Sequence, residues 1–418
     1  MLNHGFVVLI LASATAIGQA PHEPPEPALG ALVAQPPKDE GAAGVHDRMV
    51  ASAVAYLRSV QHASGGWSVN ENGPTFPAIT GLAVQGVLGD ASVRESDPMV
   101  AKAVAFMLSK QQPDGGIYDR ILPTYNTAIC LTALASLQHK TPEVLAAIGK
   151  AQEFLKGLQY GEGASALPGT PNPAERVGRE HPFYGGWGYG NHGRPDLSNT
   201  AFIIEALRAS GVSEQDAVFQ RALVFLQRCQ MVEKAPDGTV INAMEYAKGS
   251  RQGGFIYATS VNKDERGVGQ SQAAGVIEET LDDGTKVSRL RAYGSMTYSG
   301  FKSYLYAGLS RNDPRVTLAR EWIGRHYTLE ENPGAGTDGL YYYYVVFARA
   351  NEAFGEATVP AVGADGVVTP RDWRGDLVAR LATLQQPDGS FRSVDDRWME
   401  NNPVLITAYS LVALRHAK

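Results

Sequence analysis

QQPDGG, residues 111 to 116, returns almost unchanged as QQPDGS at 385 to 390, and reading that repetition decides the fold. Widened by one residue, the pattern is Gln, three residues, two small residues and a large apolar one. It occurs as QHASGGW at 61 to 67, QQPDGGI at 111 to 117 and QQPDGSF at 385 to 391, with partial copies FYGGWGY at 183 to 189, RQGGFIY at 251 to 257 and GTDGLYY at 336 to 342. Six units recurring through one chain are the signature of a repeat architecture. Each unit follows an amphipathic segment with helical spacing. Four of these segments open with a capping residue and Pro (Asp97-Pro98, Thr141-Pro142, Asp313-Pro314, Thr369-Pro370), and the others open at His46-Asp47 and at SEQD, 213 to 216, a capping-box pattern. After each unit comes a segment that is apolar nearly all round: 78–88, 127–137, 198–207, 297–309, 340–350 and 404–414. Helices apolar on every face belong inside, and those with one polar face belong outside. Six of each in alternation predict an all-α fold, a closed (α/α)6 toroid of outer and inner helix rings spanning residues 46–418. Within a unit, Gly supplies positive φ for the turn, Gln bonds helix-end carbonyls or the neighbouring repeat, and the large residue fills the gap between layers.

The chain has 418 residues, 44% of them hydrophobic, enough for a substantial core. Lys plus Arg number 37 against 43 Asp plus Glu, a formal charge of -6, which gives no electrostatic footprint for nucleic acid or for an anionic membrane. Residues 1–20 carry an apolar run from Phe6 to Ala12 and end in Gly18-Gln19-Ala20, which reads as a signal peptide and predicts an exported protein of the periplasm, cell surface or extracellular space. No other stretch approaches the length of a membrane span. Residues 21–45 read as a Pro/Ala-rich linker. The two cysteines, Cys130 and Cys229, fall in separate repeats and read as buried free thiols; no His, Cys or carboxylate grouping has metal-ligand spacing, and no cofactor motif is present. Two Gly- and charge-rich insertions, 160–182 and 231–295, interrupt the repeats, and 355–369 reads as a polar connector.

At the Gln, paired-Gly and aromatic units the chain resembles the prenyltransferase and squalene-cyclase repeat superfamily, the terpenoid-cyclase-like α/α toroids. The resemblance runs from about residue 46 to 418. It implies inner helices around a central cavity that binds an apolar ligand, an isoprenoid or other lipid. Cyclases of that superfamily protonate their substrate with the middle acid of an Asp-x-Asp-Asp motif at the start of an inner helix. Here that place is held by Asp196-Leu197-Ser198-Asn199, in RPDLSN. Ser198 and Asn199 stand where two carboxylates are expected, and a hydroxyl cannot serve as the strong acid that alkene protonation demands. Asp196 and Ser198 equally suit the cap of an inner helix. The zinc set of the protein prenyltransferases is also missing, since Cys130 has no Asp two residues before it.

By the same resemblance, Trp187, Tyr189, Ser198, Asn199, Tyr298, Tyr341 and Tyr342 are the candidate ligand-binding residues, their rings suited to contact with an apolar or cationic centre. Tyr341 to Tyr344 are four consecutive helical residues, so about two of them can face one lumen. The segment SVDDRWMENN, 393 to 402, precedes the last inner helix and holds Asp395, Asp396 and Glu400. Asp196, Asp395 and Asp396 are the candidate acids. A carbohydrate-active (α/α)6 hydrolase or lyase, which would use two carboxylates about 5 to 10 Å apart, and a non-catalytic interaction scaffold are the alternative functions.

Overall fold

The computed structural model describes residues 42–68, 73–162, 176–190, 194–259, 274–281 and 283–418. The expected signal peptide, nearly all of the expected linker, and residues 163–175 and 260–273 of the two insertions lie outside the described residues. Within the unit Pro36–Lys418, the described residues contain twelve α-helices. The amphipathic ones are α1 (Ala42–Ser59), α3 (Pro98–Ser109), α5 (Pro142–Gly157), α7 (Ala217–Cys229), α9 (Pro314–Arg325) and α11 (Trp373–Ala382). The apolar ones are α2 (Pro77–Val87), α4 (Pro123–Ala135), α6 (Leu197–Ala209), α8 (Gly294–Tyr306), α10 (Leu340–Phe354) and α12 (Pro403–His416). Every residue of α2 is buried. The apolar helices pack one on the next, α2 on α4, α4 on α6, α6 on α8, α8 on α10 and α10 on α12, and α12 packs back on α2.

Local chemistry sets most helix starts. Asp97, Thr141 and Asp313 accept hydrogen bonds from the Met99, Val144 and Arg315 amides, with Pro at the first helical position. Three expected starts are corrected, the first being His46-Asp47, since α1 already begins at Ala42. The cap of α7 is Asp216, which accepts from the Val218 amide, so SEQD is not a capping box. Thr369-Pro370 does not open a helix; it lies in a strand, and α11 is capped by Asp372. The polar connector there is an antiparallel hairpin. Its strands β3 (Thr358–Val362) and β4 (Val368–Asp372) are named here after β1 (Val276–Thr280) and β2 (Lys286–Leu290), a second hairpin inside the larger insertion. Both turns use an Asp-Gly pair: Asp283 and Asp365 accept from the amides two residues on, and Gly284 and Gly366 take positive φ. Helix α1 begins at Ala42, inside the expected linker, because Ala42 and Ala43 continue its helical run.

The glycine units share one geometry in five of the six repeats. Gln61, Gln111, Gln159, Gln230 and Gln385 each donate through Nε2 to the carbonyl of the positive-φ glycine of their own unit and to a carbonyl in the N-terminal half of an amphipathic helix of the following repeat: Met99, Ala147, Val218, Arg315 and, from the last repeat to the first, Met49. One turn beyond each of those acceptors lies the carbonyl against which the glycine packs. A Cβ on Gly65, Gly115, Gly185, Gly253 or Gly389 would lie 1.9 to 2.9 Å from the oxygen of Lys102, Lys150, Arg221, Leu318 or Ser52. Only Gly offers both the positive φ and the clearance. The wedges Trp67, Ile117, Trp187, Phe255 and Phe391 are fully buried, and each donates its backbone N–H to a threonine of the adjoining inner helix, Thr80, Thr127, Thr200, Thr297 or Thr407. Burying each large wedge contributes about 2 to 3 kcal/mol. The fifth repeat lacks the Gln; there Arg380 of α11 reaches back to the Leu329 carbonyl, 3.2 Å away. Cys130 and Cys229 are buried free thiols.

Candidate functional site

The residues that precede the inner helices collect the polar groups of interest. Asp196 is extended (φ -141°, ψ 162°) and caps α6. Its Oδ1 accepts from the Asn199 amide and its Oδ2 from Asn199 Nδ2, both at 2.8 Å. The carboxyl is only 2% exposed. Burial pushes its pKa up to about 6, against the lowering effect of the Asn199 bonds, of Tyr257 and of the Arg194 charge. With both oxygens engaged by Asn199, Asp196 serves as the cap of α6.

In the last repeat the structure separates three acids that the sequence presents together. Asp396 is exposed and Asp395 half-buried, where Oδ1 accepts from the Arg397 amide. Glu400 is 1% exposed, and its two oxygens accept from the amides of Tyr341 (3.1 Å) and Tyr342 (2.8 Å) at the start of α10. Burial raises its carboxyl to about 7, and the nearby Asp395 adds to that rise, while the α10 amides oppose it. Glu400 thus caps α10 from a neighbouring repeat, as Asp196 caps α6 from within its own. Beside it Trp398 and Met399 both take positive φ, 54° and 67°, and Arg397 pairs with Asp338 while its guanidinium lies 4.5 Å from the Trp398 ring. Arg120 and Leu122, before α4, are the other non-glycine residues with positive φ among the described residues. Among the described residues, non-glycine positive φ is therefore confined to two loops that lead into apolar helices.

Next along the inner helices comes an aromatic and hydroxyl layer. Tyr342 of α10 packs on Phe202 of α6 (5.9 Å between centroids) and on Tyr409 of α12 (6.3 Å), and Tyr125 of α4 meets Phe202 edge-on at 5.0 Å. The Tyr342 hydroxyl stands 3.3 Å from Ser198 Oγ and 3.2 Å from Ser299 Oγ, so α6, α8 and α10 meet there. The Tyr189 and Tyr257 hydroxyls are 3.1 Å apart. Tyr125, Tyr189, Tyr257, Tyr342 and Ser198 keep part of their surface accessible. Yet burial is the leading cause that raises the pKa of all four phenols.

Deeper still, charged side chains cross the interior. Glu205 of α6 pairs with Lys302 of α8 and with Arg349 of α10 (2.9 Å), and Arg349 also donates to Gln85 of α2 at 2.6 Å. Glu205, Gln85, Arg349 and Lys302 are 7%, 4%, 2% and 1% exposed. Their ion pairing holds the Glu205 carboxyl low against burial, which by itself would raise it. Burial is the first cause of the lowered Lys302 ammonium pKa.

Of the candidate ligand residues, the structure brings Tyr189, Ser198 and Tyr342 to the partly accessible layer. Asn199 is fully buried on Asp196. Trp187 is a wedge whose Nε1 donates to the Leu155 carbonyl at 2.7 Å. Tyr298 is buried against Tyr343 and Phe347, and Tyr341 against Phe391 and Tyr344 with its hydroxyl on the Arg392 carbonyl. Sequence reasoning missed Tyr125, Phe202, Tyr257 and Tyr409, and it missed the charged layer. That layer had a signal: Glu205, Lys302 and Arg349 are single charges inside segments otherwise apolar all round, FIIEAL, SGFKSYL and VVFARA. Among the described residues no group of three or more His, Cys, Asp or Glu could hold a metal ion, and no helix is long and apolar enough to cross a membrane.

Residues 72–248 match the family model of the squalene-hopene cyclase C-terminal domain. Two of the six glycine units, at 111–117 and 183–189, lie within that match, which supports the terpenoid-cyclase-like resemblance over this part of the chain. No curated protein matches the chain in sequence. Among solved structures, an inactive variant of the α-1,6-mannanase of Salegentibacter in complex with α-1,6-mannotriose is 9% identical, over 89% of this chain and 98% of that one, with a TM-score of 0.52. A type II terpene cyclase from Scytonema in complex with merosterolic acid A is 12% identical over 90% and 98%, with a TM-score of 0.47. A protein from Actinoplanes is 16% identical over 89% and 99%, also at 0.47. The mannanase likeness, at that identity, speaks for the helical fold alone.

Proposed function

We propose that this terpenoid-cyclase-like chain is an exported, closed (α/α)6 toroid that binds an apolar ligand, an isoprenoid or other lipid, in a central lumen without cyclising it. Closure is supported by the Gln385 bond to Met49, by Gly389 packed over Ser52 and by the packing of α12 on α2. The observation that carries the ligand reading is the aromatic and hydroxyl layer. Side chains from α4, α6, α10 and α12 meet there, and Tyr125 and Tyr342 retain accessible surface although burial dominates their titration. Partly accessible aromatic side chains gathered from four apolar helices are the kind of lining that an internal site for an apolar ligand would have. The reading of binding without cyclisation is supported by the two buried acids, Asp196 and Glu400, whose oxygens are engaged as helix caps.

Native mass spectrometry of the mature protein, purified under mild conditions from its own cells, tests this. A retained apolar small molecule supports the lumen. A protein that carries none and binds α-1,6-mannotriose instead would replace the lipid reading with the carbohydrate one. Turnover of a linear isoprenoid to a cyclic product would overturn the non-catalytic part.

A further inference from the structure

The charged layer has a regular position. Gln85, Glu205 and Lys302 each lie eight residues after the first residue of α2, α6 and α8, and Arg349 lies nine after the first of α10. At 1.5 Å per residue all four sit at one level, about 12 Å from the helix starts. Arg349 reaches from α10 to α6 on one side and to α2 on the other, past the intervening α8 and α12. A side chain that makes both contacts crosses the interior at this level. All four are 7% exposed or less, and Leu131 of α4 and Leu411 of α12, also eight residues after the first of their helices, are 0% and 1% exposed, so the side chains at this level are packed. The partly accessible layer lies on the near side: Ser198 and Tyr342 are one and two residues into their helices, with the fully buried Ser299, five into its own, behind them.

That near layer is more polar than a hydrocarbon needs. Three hydroxyls, from Ser198, Tyr342 and Ser299, converge with separations of 3.3 and 3.2 Å. Hydroxyl pairs favour about 2.7 to 2.8 Å, so both contacts are long. Each hydroxyl offers one donor and two acceptor positions, far more capacity than two long contacts use. An oxygen atom of a ligand placed beside the two accessible hydroxyls, Ser198 and Tyr342, would find both donor and acceptor partners, flanked by the Phe202 and Tyr409 rings.

We propose that the lumen is blind, floored by the Gln85–Glu205–Lys302–Arg349 layer, and that its ligand is a compact oxygenated terpenoid-like molecule, an alcohol or carbonyl compound reaching no more than about 12 Å inside. This rests on the lumen reading above and narrows it. A long hydrocarbon chain has no room beyond the floor, and a plain hydrocarbon leaves the spare hydrogen-bonding capacity of Ser198 and Tyr342 unused.

Isothermal titration of the mature protein with geraniol, farnesol, geranylgeraniol and squalene, with α-1,6-mannotriose in parallel, tests the floor. Geraniol or farnesol should bind most tightly, and squalene at least tenfold more weakly. Geranylgeraniol or squalene binding as tightly as the shorter alcohols overturns the floor. Tyr342→Phe tests the triad, since it keeps the ring and removes the hydroxyl. It should weaken the alcohols by about five- to tenfold, the effect of one hydrogen bond, and leave binding of the matched hydrocarbon myrcene unchanged. Equal losses for alcohol and hydrocarbon overturn the triad. Failure of every terpenoid with mannotriose bound overturns the lumen reading itself, a separate outcome. Circular dichroism and an unchanged melting temperature establish that the variant is folded.

Discussion

Gln385 is the place to test whether the first and last repeats hold each other. Gln385→Ala removes two hydrogen bonds, to Met49 at 2.8 Å and to Gly389 at 3.1 Å, the first spanning 336 positions of sequence. Each such bond contributes about 1 kcal/mol net, and the Gly389 carbonyl, in a buried residue, is left without this partner, so the expected loss is about 2 to 3 kcal/mol. Unfolding entropy near 2.1 cal/mol/K per residue over about 380 residues gives about 0.8 kcal/mol/K, hence a fall in Tm of about 3 °C by differential scanning calorimetry. Gln111→Ala is the internal control; its bonds, 3.3 and 3.2 Å, are longer and join adjacent repeats, so its loss should be smaller. Hydrogen exchange should show α1 and α12 losing protection together in Gln385→Ala. A Tm unchanged within a degree, or fraying of α12 alone, would refute the claim that the terminal repeats are coupled.

Two further outcomes follow from the same geometry. Asp196 and Glu400 have carboxyls raised from 3.8 to about 6 and from 4.5 to about 7. The folded state holds protons there that the unfolded state gives up, so their contribution is fully present below about pH 4 and is lost as pH rises through 6 to 7, about 3 kcal/mol for each group. Glu400→Gln should flatten the decline of Tm between pH 5 and 8, and an unchanged profile would contradict a buried, proton-binding Glu400. Gly185→Ala places a Cβ 1.9 Å from the Arg221 oxygen at φ 86° and should abolish folding or cost well over 3 kcal/mol, whereas Gly211→Ala, at φ 92° but in open space, should cost about 1 kcal/mol, measured by urea unfolding.

The sequence by itself determined the alternation of helices, because it is written in local requirements. A glycine that needs positive φ, a proline behind a capping Asp or Thr and a segment apolar on every side each act within a few residues of chain. The Gln clamp was half legible: a bond to the neighbouring repeat could be read, while the second acceptor, the carbonyl of the unit's own positive-φ glycine, could not. The threonines under the wedges and the two hairpins went unread, although Asp283-Gly284 and Asp365-Gly366 are ordinary turn signals. Only the tertiary structure decided the site. Asp395, Asp396 and Glu400 are alike in composition, yet Glu400 alone is buried, because its carboxylate meets the amides of α10 some 60 residues away in the chain. Tyr341 and Tyr342 are adjacent and identical, and helical geometry turns one toward Phe391 and the other toward Ser198 and Ser299. Burial, pKa and the level floor of Gln85, Glu205, Lys302 and Arg349 are properties of neighbours brought from distant repeats, and no window of sequence contains them.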